Sequence, residues 1–516
     1  MADRFRKILL YPATNDAPFL LLVWGLMAFP EFMVQIAKGN YFYSLLYIFL
    51  YFGVAYISTV IVDLTRWFRR ILRPAFFLIL SVFTVINVYC LYTYRTRLTY
   101  NFIEIIAGTN PEEAKEYFAM YIDWHKYLML ALFFAGCWFL YWATGRLKNR
   151  FSINPYFSSV LLGCSVVSVF INPTLKDEFV TWNFNFEDVA DLRKYPSDPK
   201  ISAYMDSIPE YVVIIIGESH ARSHSSLYGY DKETNPLMGK LRDKGNLLVF
   251  ENVESPATNT SNSFKYILNT YQKDKEGQEK WYKSVNLLEV LKKAGYHSVW
   301  LSNQARQGLY NNLSSAPAML CDTAVFIREF SNDIKYDAEL AEISLPEKGR
   351  RNAVIYHLMG QHVLFKERYP SRFEKFKKDD YVLDLSDTGK ENVAQYDNAT
   401  LYNDFTLDSI IGRYADSDAV VFYFPDHGLD VYESDSGYCG HALPNPESES
   451  IGVKIPFLVY LSDKYREIRP ELSQRISGAG DEPFTTDKFI YAMMDAAGLI
   501  FSDSDDVKKY SPFHPL

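Results

Sequence analysis

The chain has 516 residues, which is long enough for two domains, and 16% of them are aromatic. Its formal net charge is −9 at pH 7, and no basic stripe offsets that charge, so the composition argues against a nucleic-acid partner. Long apolar stretches are confined to the first 172 residues, whereas the remainder has the composition of an ordinary globular protein. We therefore expect a membrane part followed by a soluble domain.

Five apolar stretches near the N-terminus are long enough to cross the ~30 Å hydrocarbon core of a bilayer as helices. They cover residues 18–37, 43–63, 74–94, 127–145 and 155–172. Pro30 and Glu31 interrupt the first stretch, and the last stretch is the shortest. The sequence predicts a membrane α-helical domain of five transmembrane helices over residues 1–172.

The distribution of Lys and Arg predicts the orientation of these spans. The N-terminus carries Arg4, Arg6 and Lys7, and the loops after the second and fourth spans are also basic, whereas the loop after the third span mixes basic and acidic residues. Basic loops stay in the cytoplasm, so five spans place everything after residue 172 outside it. A weak span that is instead a buried helix would turn the large domain inward.

Residues 173–210 are predicted to link the two parts. Aromatic and apolar side chains alternate there with charged ones, which fits either a segment lying on the membrane or a plain surface linker. Only two of the five cysteines, Cys321 and Cys439, fall in the soluble part. A disulfide between them stays open, because the sequence does not give the geometry that such a bond requires.

The soluble domain is predicted to cover residues 211–516. Strand-like apolar runs occupy residues 212–216, 247–250, 297–301, 352–358, 419–424 and 457–461. Amphipathic helices are predicted over residues 284–294 and 485–497. Alternation of strands and helices favours an α/β domain with a mostly parallel sheet and helices on both faces.

Four chemically competent side chains follow strand-like runs or lie in a polar loop. Glu218 comes directly after the run at 212–216, Asp426 and His427 follow the run at 419–424, and Thr260 lies in a loop rich in Thr, Ser and Asn. Open α/β sheets bind ligands at the carboxyl ends of their strands, and such donors with an open position suit a catalytic metal site. Two of the four have a plainer interpretation, since Glu218 could cap a helix and Thr260 could belong to a polar turn, whereas packing explains an Asp-His pair after an apolar strand poorly.

Several sequence motifs closely resemble those of bacterial phosphoethanolamine transferases. The opening motif is Gly-Glu-Ser-His-Ala-Arg at 217–222, continued by Leu-Tyr-Gly-Tyr at 227–230 and Thr-Asn-Pro at 234–236. Further matches recur in family order: Ser-Pro-x-Thr-x-Thr at 255–260, Ser-Asn-Gln at 302–304, the Gly-x-His of His362, Asp-His-Gly at 426–428, the Gly-His of His441, and Thr-Asn-Pro-x-Glu-Ala at 109–114. The resemblance covers nearly the whole chain. It implies an inner-membrane enzyme with five spans and a periplasmic sulfatase-like domain of the alkaline phosphatase superfamily.

The resemblance also implies a ligand set and a nucleophile. Glu218, Thr260, Asp426 and His427 would bind the catalytic zinc, with manganese as the alternative metal. Thr260 would be the nucleophile that carries a phosphoethanolamine intermediate, and Thr258 is the fallback for that role.

Five further residues are expected to contact the substrate by the same resemblance. His362, His441 and Asn303 would lie beside the phosphoryl oxygens, and His441 rather than His362 would protonate the departing diacylglycerol. Gln307 stands where some relatives have a lysine, and Glu113 would help to hold the lipid head group.

The predicted function is transfer of phosphoethanolamine from phosphatidylethanolamine to lipid A, a core sugar or another periplasmic glycan. The enzyme is expected to be a monomer in the bacterial inner membrane, with its catalytic domain in the periplasm and ping-pong kinetics.

The nearest rival is a glycerophosphate transferase of the lipoteichoic-acid synthase type, which usually uses manganese. A membrane-anchored sulfatase-like hydrolase is less favoured, because the sequence has no Cys-x-Pro-x-Arg motif. A non-catalytic scaffold would be expected to have lost a ligand, yet all four are present.

Overall fold

A computed structural model describes residues 2–64, 69–94, 96–98, 102, 114–115, 117–118, 121–171, 197–276, 278–304, 314–328, 334–344, 351–435, 437–441 and 446–514. The chain divides into two compact units, of which the first is helical and the second contains all described residues from 197 onward. Glu113, Gln307 and residues 173–196 of the predicted linker lie outside the described residues.

The N-terminal unit consists of helices. Their bounds are α1 Ala2–Asn15, α2 Ala17–Ala37, α3 Tyr41–Leu64, α4 Arg69–Tyr94, α5 Trp124–Leu147 and α6 Pro155–Ile171. Among the described residues, α2, α3, α4 and α5 are long and apolar enough to cross a membrane. The fifth predicted span corresponds to α6, an apolar helix of 17 residues. The prediction missed α1, and it overestimated the effect of Pro30, which lies inside α2 without ending it.

Ion pairs neutralise the buried charges of this helical unit. Asp16, which is 1% exposed, lies between α1 and α2 and accepts a hydrogen bond of 2.5 Å from Arg73 of α4. The guanidinium of Arg73 also lies 3.8 Å from the centre of the Phe19 ring. Glu31, buried beside Pro30, pairs with Arg97. An unpaired charge at these positions would be costly, so the pairs explain why these two buried carboxylates are tolerated in an apolar unit.

The second unit contains a seven-stranded sheet. Its strands are β2 Tyr211–Gly217, β3 Leu247–Phe250, β5 His297–Ser302, β6 Thr323–Phe326, β7 Asn352–His357, β8 Ala419–Pro425 and β11 Phe457–Leu461. Their order across the sheet is β3-β11-β8-β2-β7-β5-β6. All neighbours pair in parallel except β11, which is antiparallel to both β3 and β8. The predicted mostly parallel sheet is confirmed.

Two-residue and three-residue strands complete the unit. They are β1 Ile201–Ala203, β4 Val253–Glu254, β9 Asp430–Val431, β10 Cys439–Gly440, β12 Phe484–Thr485 and β13 Leu499–Phe501. β1 falls in the segment predicted as a linker and pairs with β13.

Helices cover both faces of the large sheet, as predicted. The described α-helices from residue 197 onward are α7 Pro236–Asp243, α8 Thr260–Ser263, α9 Leu287–Lys293, α10 Asp387–Gly412, α11 Pro446–Gly452, α12 Asp463–Ile468, α13 Pro470–Gly478, α14 Phe489–Ala496 and α15 Asp506–Tyr510. Alternate residues of β2 enter two separate apolar clusters, Ile214 with α14 on one face and Val213 with α10 on the other. β2 is buried along its whole length, as a central parallel strand requires.

Two helix boundaries differ from the prediction. The helix predicted over 284–294 begins at Leu287, because Asn286 and Glu289 form a capping box there. It ends before Gly295, whose φ of 82° glycine adopts without strain. The helix predicted over 485–497 begins only at Phe489. No disulfide joins Cys321 and Cys439, so the pairing left open by the sequence is not formed.

The register of the central strands positions the functional site. Ile216 of β2 lies opposite His357 of β7 and Phe424 of β8, and Gly217 lies opposite Pro425. The three strands therefore end at the same level, and the residues that follow them emerge together at one edge of the sheet.

We expect Trp300→Ala to destabilise the second unit by about 3–5 kcal/mol, because it empties a large volume in a core that cannot close around it. Trp300 is fully buried in β5. Urea denaturation followed by near-ultraviolet circular dichroism measures the loss. Val382→Ala, at a fully exposed position, serves as the control and should change stability by less than about 0.5 kcal/mol; equal losses in both variants would contradict the assignment of Trp300 to the core.

Candidate metal centre

Four side chains converge where β2 and β8 end. Glu218, Asp426 and His427 each place one ligand atom within 4.8 Å of the others, and all three are almost completely buried. The Thr260 hydroxyl joins them from the start of α8, at 3.3 Å from both Glu218 Oε2 and His427 Nε2. The structure thus brings together the four residues that the sequence predicted as ligands.

The imidazole of His427 is oriented for coordination. Its Nδ1 lies 2.7 Å from the carbonyl oxygen of Gly428, and a carbonyl can only accept, so Nδ1 carries the proton. The other ring nitrogen, Nε2, faces the two carboxylates, 3.3 Å from Glu218 Oε1 and 3.5 Å from Asp426 Oδ2. A hydrogen bond of this kind fixes the tautomer in metal-binding histidines.

The two carboxylates make the centre strongly attractive to a cation. Burial, together with the charge of Glu218, raises the pKa of Asp426 to about 7. Burial also acts to raise the pKa of Glu218, but the hydrogen bond and charge of His427 hold it well below its usual value. His427 responds in turn: burial favours the neutral ring, whereas Asp426 and Glu218 raise its pKa to about 9.

The donor set fits a metal ion. Asp426 Oδ2 is buried and accepts no hydrogen bond from the described residues, which leaves one carboxylate oxygen directed into the cluster. Two carboxylate oxygens, one imidazole nitrogen and one hydroxyl oxygen amount to four donors, the number that zinc takes in tetrahedral sites. A cation among them would satisfy the unpaired oxygen and offset the two buried negative charges.

Ser219 donates a hydrogen bond to each of the two carboxylates from a strained backbone conformation. Its φ is 56°, a left-handed value that is uncommon for residues other than glycine. Its hydroxyl donates to Glu218 Oε1 at 2.8 Å, and its N–H donates to Asp426 Oδ1 at 3.3 Å. The Tyr396 hydroxyl donates to its carbonyl oxygen at 2.7 Å. The local strain thus places two donors against the ligands, a combination typical of functional sites.

The loop after β7 fits tightly against Glu218. Gly360 has a φ of 50°, and a Cβ at this position would lie 2.7 Å from the Glu218 carbonyl oxygen and 2.8 Å from its nitrogen. Gln361 N–H donates to the same carbonyl oxygen at 2.9 Å. The buried carboxylate of Asp337 accepts from the N–H groups of Met359 and Gly360, each at 2.8 Å. This loop therefore sets the backbone position of the first ligand.

Two histidines lie close to the ligands. The ring of His441 is centred 4.6 Å from the ring of His427, and its Nδ1 is buried without a hydrogen-bond partner in the described part of the chain. Burial, and then the charge of His427, lower the pKa of His441 to about 3, so its imidazole is neutral at pH 7. His362 is half-buried in the loop after β7 and contributes to lowering the pKa of Glu218.

The structure places Gln304 rather than Asn303 against the ligands. Asn303 donates from its side chain to Asp337 at 2.8 Å and to the Lys335 carbonyl oxygen at 3.0 Å. Gln304 donates to Glu218 Oε2 at 3.1 Å. The sequence motif Ser-Asn-Gln contained both residues, but nothing in the sequence distinguishes which amide points to the metal centre. A contact between Asn303 and substrate stays a prediction.

The fallback nucleophile has different surroundings from Thr260. The Thr258 methyl group packs against Gly452, where an added Cβ would lie 3.1 Å from it. Thr260, two residues later, has its hydroxyl within hydrogen-bonding distance of two ligands. The geometry therefore favours Thr260 as the nucleophile.

The family model described as Sulfatase matches residues 210–499. Among characterised proteins, phosphoethanolamine transferase EptC of Escherichia coli (strain K12) is 26% identical over 468 residues, which cover 81% of this chain and 78% of the relative.

Solved structures share the fold. The C-terminal periplasmic domain of EcEptC from Escherichia coli, in complex with Zn, is 27% identical with a TM-score of 0.55, covering 62% of this chain and 90% of that one. The integral membrane lipooligosaccharide phosphoethanolamine transferase A (EptA) from Neisseria meningitidis has a TM-score of 0.64 at 17% identity, covering 95% of this chain and 97% of that one. The second similarity extends over both units.

We expect Gly360→Ala to weaken zinc binding, because its Cβ would collide with the backbone of Glu218 and displace that ligand. Competition with a coloured zinc chelator measures the affinity of the purified chain. Gly239→Ala is the matched control: this glycine lies within α7, with no heavy atom within 4 Å of the added Cβ, so its zinc affinity should equal that of the wild type. Equal affinities in all three proteins would contradict the role of Gly360.

Proposed function

The chain belongs to the sulfatase family, and we propose that it is a membrane-anchored, metal-dependent phosphoethanolamine transferase. The observation that carries this proposal is the position of the Thr260 hydroxyl, 3.3 Å from Glu218 Oε2 and from His427 Nε2. A hydroxyl held among metal ligands is suited to form a covalent intermediate. The relatives that match the chain over most of its length are named as phosphoethanolamine transferases.

Zinc is the metal that we propose for the site, with Glu218, Thr260, Asp426 and His427 as its ligands. When bound, it would lower the pKa of the threonine hydroxyl and offset the charge of a phosphodiester in the transition state. The relative whose structure is a complex with Zn supports this choice of metal. Manganese, the alternative metal, prefers six oxygen-rich ligands, so water would have to complete its coordination shell here.

The first half-reaction replaces one ester bond of the donor with another. Thr260 Oγ1 forms a bond to the phosphorus of phosphatidylethanolamine while the bond from phosphorus to the glycerol oxygen breaks. The proton that the Thr260 hydroxyl gives up leaves on the diacylglycerol oxygen, and phosphoethanolamine stays on Thr260. In the second half-reaction an acceptor hydroxyl takes the phosphoryl group and returns the threonine oxygen to its starting state.

His441 is our candidate for the proton transfers. It lies beside His427 and has a ring nitrogen without a partner among the described residues. A neutral imidazole has one donor and one acceptor nitrogen, so it can pass the Thr260 proton to the leaving diacylglycerol oxygen and later pass the proton of the acceptor hydroxyl back to Thr260 Oγ1. We assign His362, Asn303, Gln307 and Glu113 to contacts with the phosphoryl group and the lipid head group.

The helical unit agrees with a lipid donor. Its described residues include four helices that are long and apolar enough to cross a bilayer, and the phosphate of phosphatidylethanolamine lies at the bilayer interface. We propose an enzyme of the bacterial inner membrane that acts as a monomer, with its catalytic domain in the periplasm. The acceptor would be lipid A, a core sugar or another envelope glycan.

The two rival functions differ in donor and in acceptor. A glycerophosphate transferase would use phosphatidylglycerol as its donor. A sulfatase-like hydrolase would transfer its group to water and would carry a cysteine or serine nucleophile, whereas the residue held among the ligands is Thr260. These differences make the reaction products decisive.

We expect Thr260→Ala to abolish diacylglycerol release from fluorescent phosphatidylethanolamine, because it removes the attacking oxygen. Intact-mass spectrometry should show one phosphoethanolamine adduct on the wild type and none on Thr260→Ala. Thr258→Ala is the matched control, since Thr258 packs against Gly452, and it should retain both release and adduct.

Three outcomes would contradict the proposal in different ways. Release from phosphatidylglycerol instead would favour the glycerophosphate transferase. Loss of activity in Thr258→Ala alone would assign the nucleophile to Thr258 instead of Thr260. Free phosphoethanolamine as the main product in the presence of purified lipopolysaccharide would favour a hydrolase.

A further inference from the structure

We infer that Gln304 is a positioning residue that holds the Glu218 carboxylate in its metal-binding orientation. The inference deepens the proposed function and rests on it, because it concerns the same metal centre. Gln304 belongs to the loop that follows β5, two strands away from the one that delivers Glu218.

The side-chain amide of Gln304 uses both of its N–H groups. Nε2 lies 3.1 Å from Glu218 Oε2 and 3.0 Å from the carbonyl oxygen of Leu358. Satisfying the buried carbonyl oxygen of Leu358 takes only one of these donors. The second donor reaches the metal-binding carboxylate, so the amide links the ends of β2, β5 and β7.

The backbone under this side chain is fixed. The N–H of Gln304 donates to the Ser302 hydroxyl at 3.0 Å, and the N–H of Asn303 donates to the carbonyl oxygen of His357 at 3.0 Å. Ser302 and Asn303 are almost completely buried. A long polar side chain loses rotamer entropy when it is held, and the fixed backbone limits the ordering cost at Gln304 to that of the side chain itself.

Gln304 completes the set of neutral donors around Glu218. Ser219 donates to Oε1 at 2.8 Å, and Gln304 donates to Oε2. On the side of the cluster, both oxygens face the Thr260 hydroxyl, at 3.4 Å and 3.3 Å. Neutral donors orient the carboxylate without cancelling its charge, whereas a lysine or arginine in the same place would compete with the cation.

The test is the zinc affinity of the full-length chain in detergent, measured by competition with a coloured chelator after removal of bound metal. Gln304→Leu removes both donors, and Gln304→Asn shortens the side chain so that it no longer reaches Glu218. We expect the zinc Kd to rise by roughly 10–100-fold in both variants, as for other residues that orient metal ligands.

A matched control distinguishes positioning from a general loss of stability. Gln395→Leu removes a similar bond, from Gln395 Nε2 to Glu391 Oε1 at 2.9 Å within α10, and should leave the zinc Kd unchanged. Excess zinc should restore diacylglycerol release in the Gln304 variants with the KM for phosphatidylethanolamine unchanged, because the residue acts on the ligand and not on the substrate.

A zinc Kd raised by less than tenfold in both Gln304 variants would overturn the inference. So would a raised KM for phosphatidylethanolamine at saturating zinc, which would make Gln304 a substrate contact. Gln304→Asn keeps the test valid if Gln304→Leu does not fold. Failure of the wild type to release diacylglycerol while it binds zinc, with the Gln304 effect intact, would reject the proposed function and leave the positioning role standing.

Discussion

The repulsion between the buried carboxylates of Glu218 and Asp426 is the constraint on which the rest of the site depends. Ligand atoms of these residues lie within 4.8 Å of each other, and two like charges at that separation cost on the order of 3 kcal/mol even at an effective dielectric constant of 20. In the part of the chain that the structure describes, no Lys or Arg pairs with these carboxylates. Ser219, Gln304 and backbone N–H groups donate to them instead, and these neutral donors orient the carboxylates without removing their charge.

The same constraint explains the unusual backbone near the ligands. In its left-handed conformation, Ser219 donates its hydroxyl to Glu218 and its N–H to Asp426. Gly360 lies so close to Glu218 that no side chain fits. A strained backbone persists only when the surrounding fold holds it in place. Here the register of β2, β7 and β8 holds it, because the three strands end at one level.

The sequence predicted the elements whose signals are local. The six strand-like runs correspond to strands, because a short continuous apolar run is typical of a strand that is buried on both faces. The predicted ligands converge because Glu218 and Asp426 directly follow two of those runs. The choice between Asn303 and Gln304 could not be made, since it depends on Asp337, which is more than 30 residues away and accepts the Asn303 amide. Nor does the sequence show that Cys321 and Cys439 stay apart, because that depends on tertiary structure.

The longest helix of the second unit escaped prediction for a reason that also explains the opening sequence motif. α10 buries polar side chains, including Tyr396, Asp397, Asn403 and Asp404, so it lacks the apolar periodicity by which helices are recognised. Those side chains bind the segment that begins at Glu218. The Tyr396 hydroxyl donates to the Ser219 carbonyl oxygen, and Asp397 accepts from His224 and Tyr230. Asn403 donates to the Tyr423 hydroxyl, which contacts His220, and Asp404 accepts the first N–H groups of α7. Buried polar groups are tolerated when each has a partner. The polar residues of the opening motif and of α10 are therefore each other's hydrogen-bond partners, and together they fix the backbone that follows Glu218.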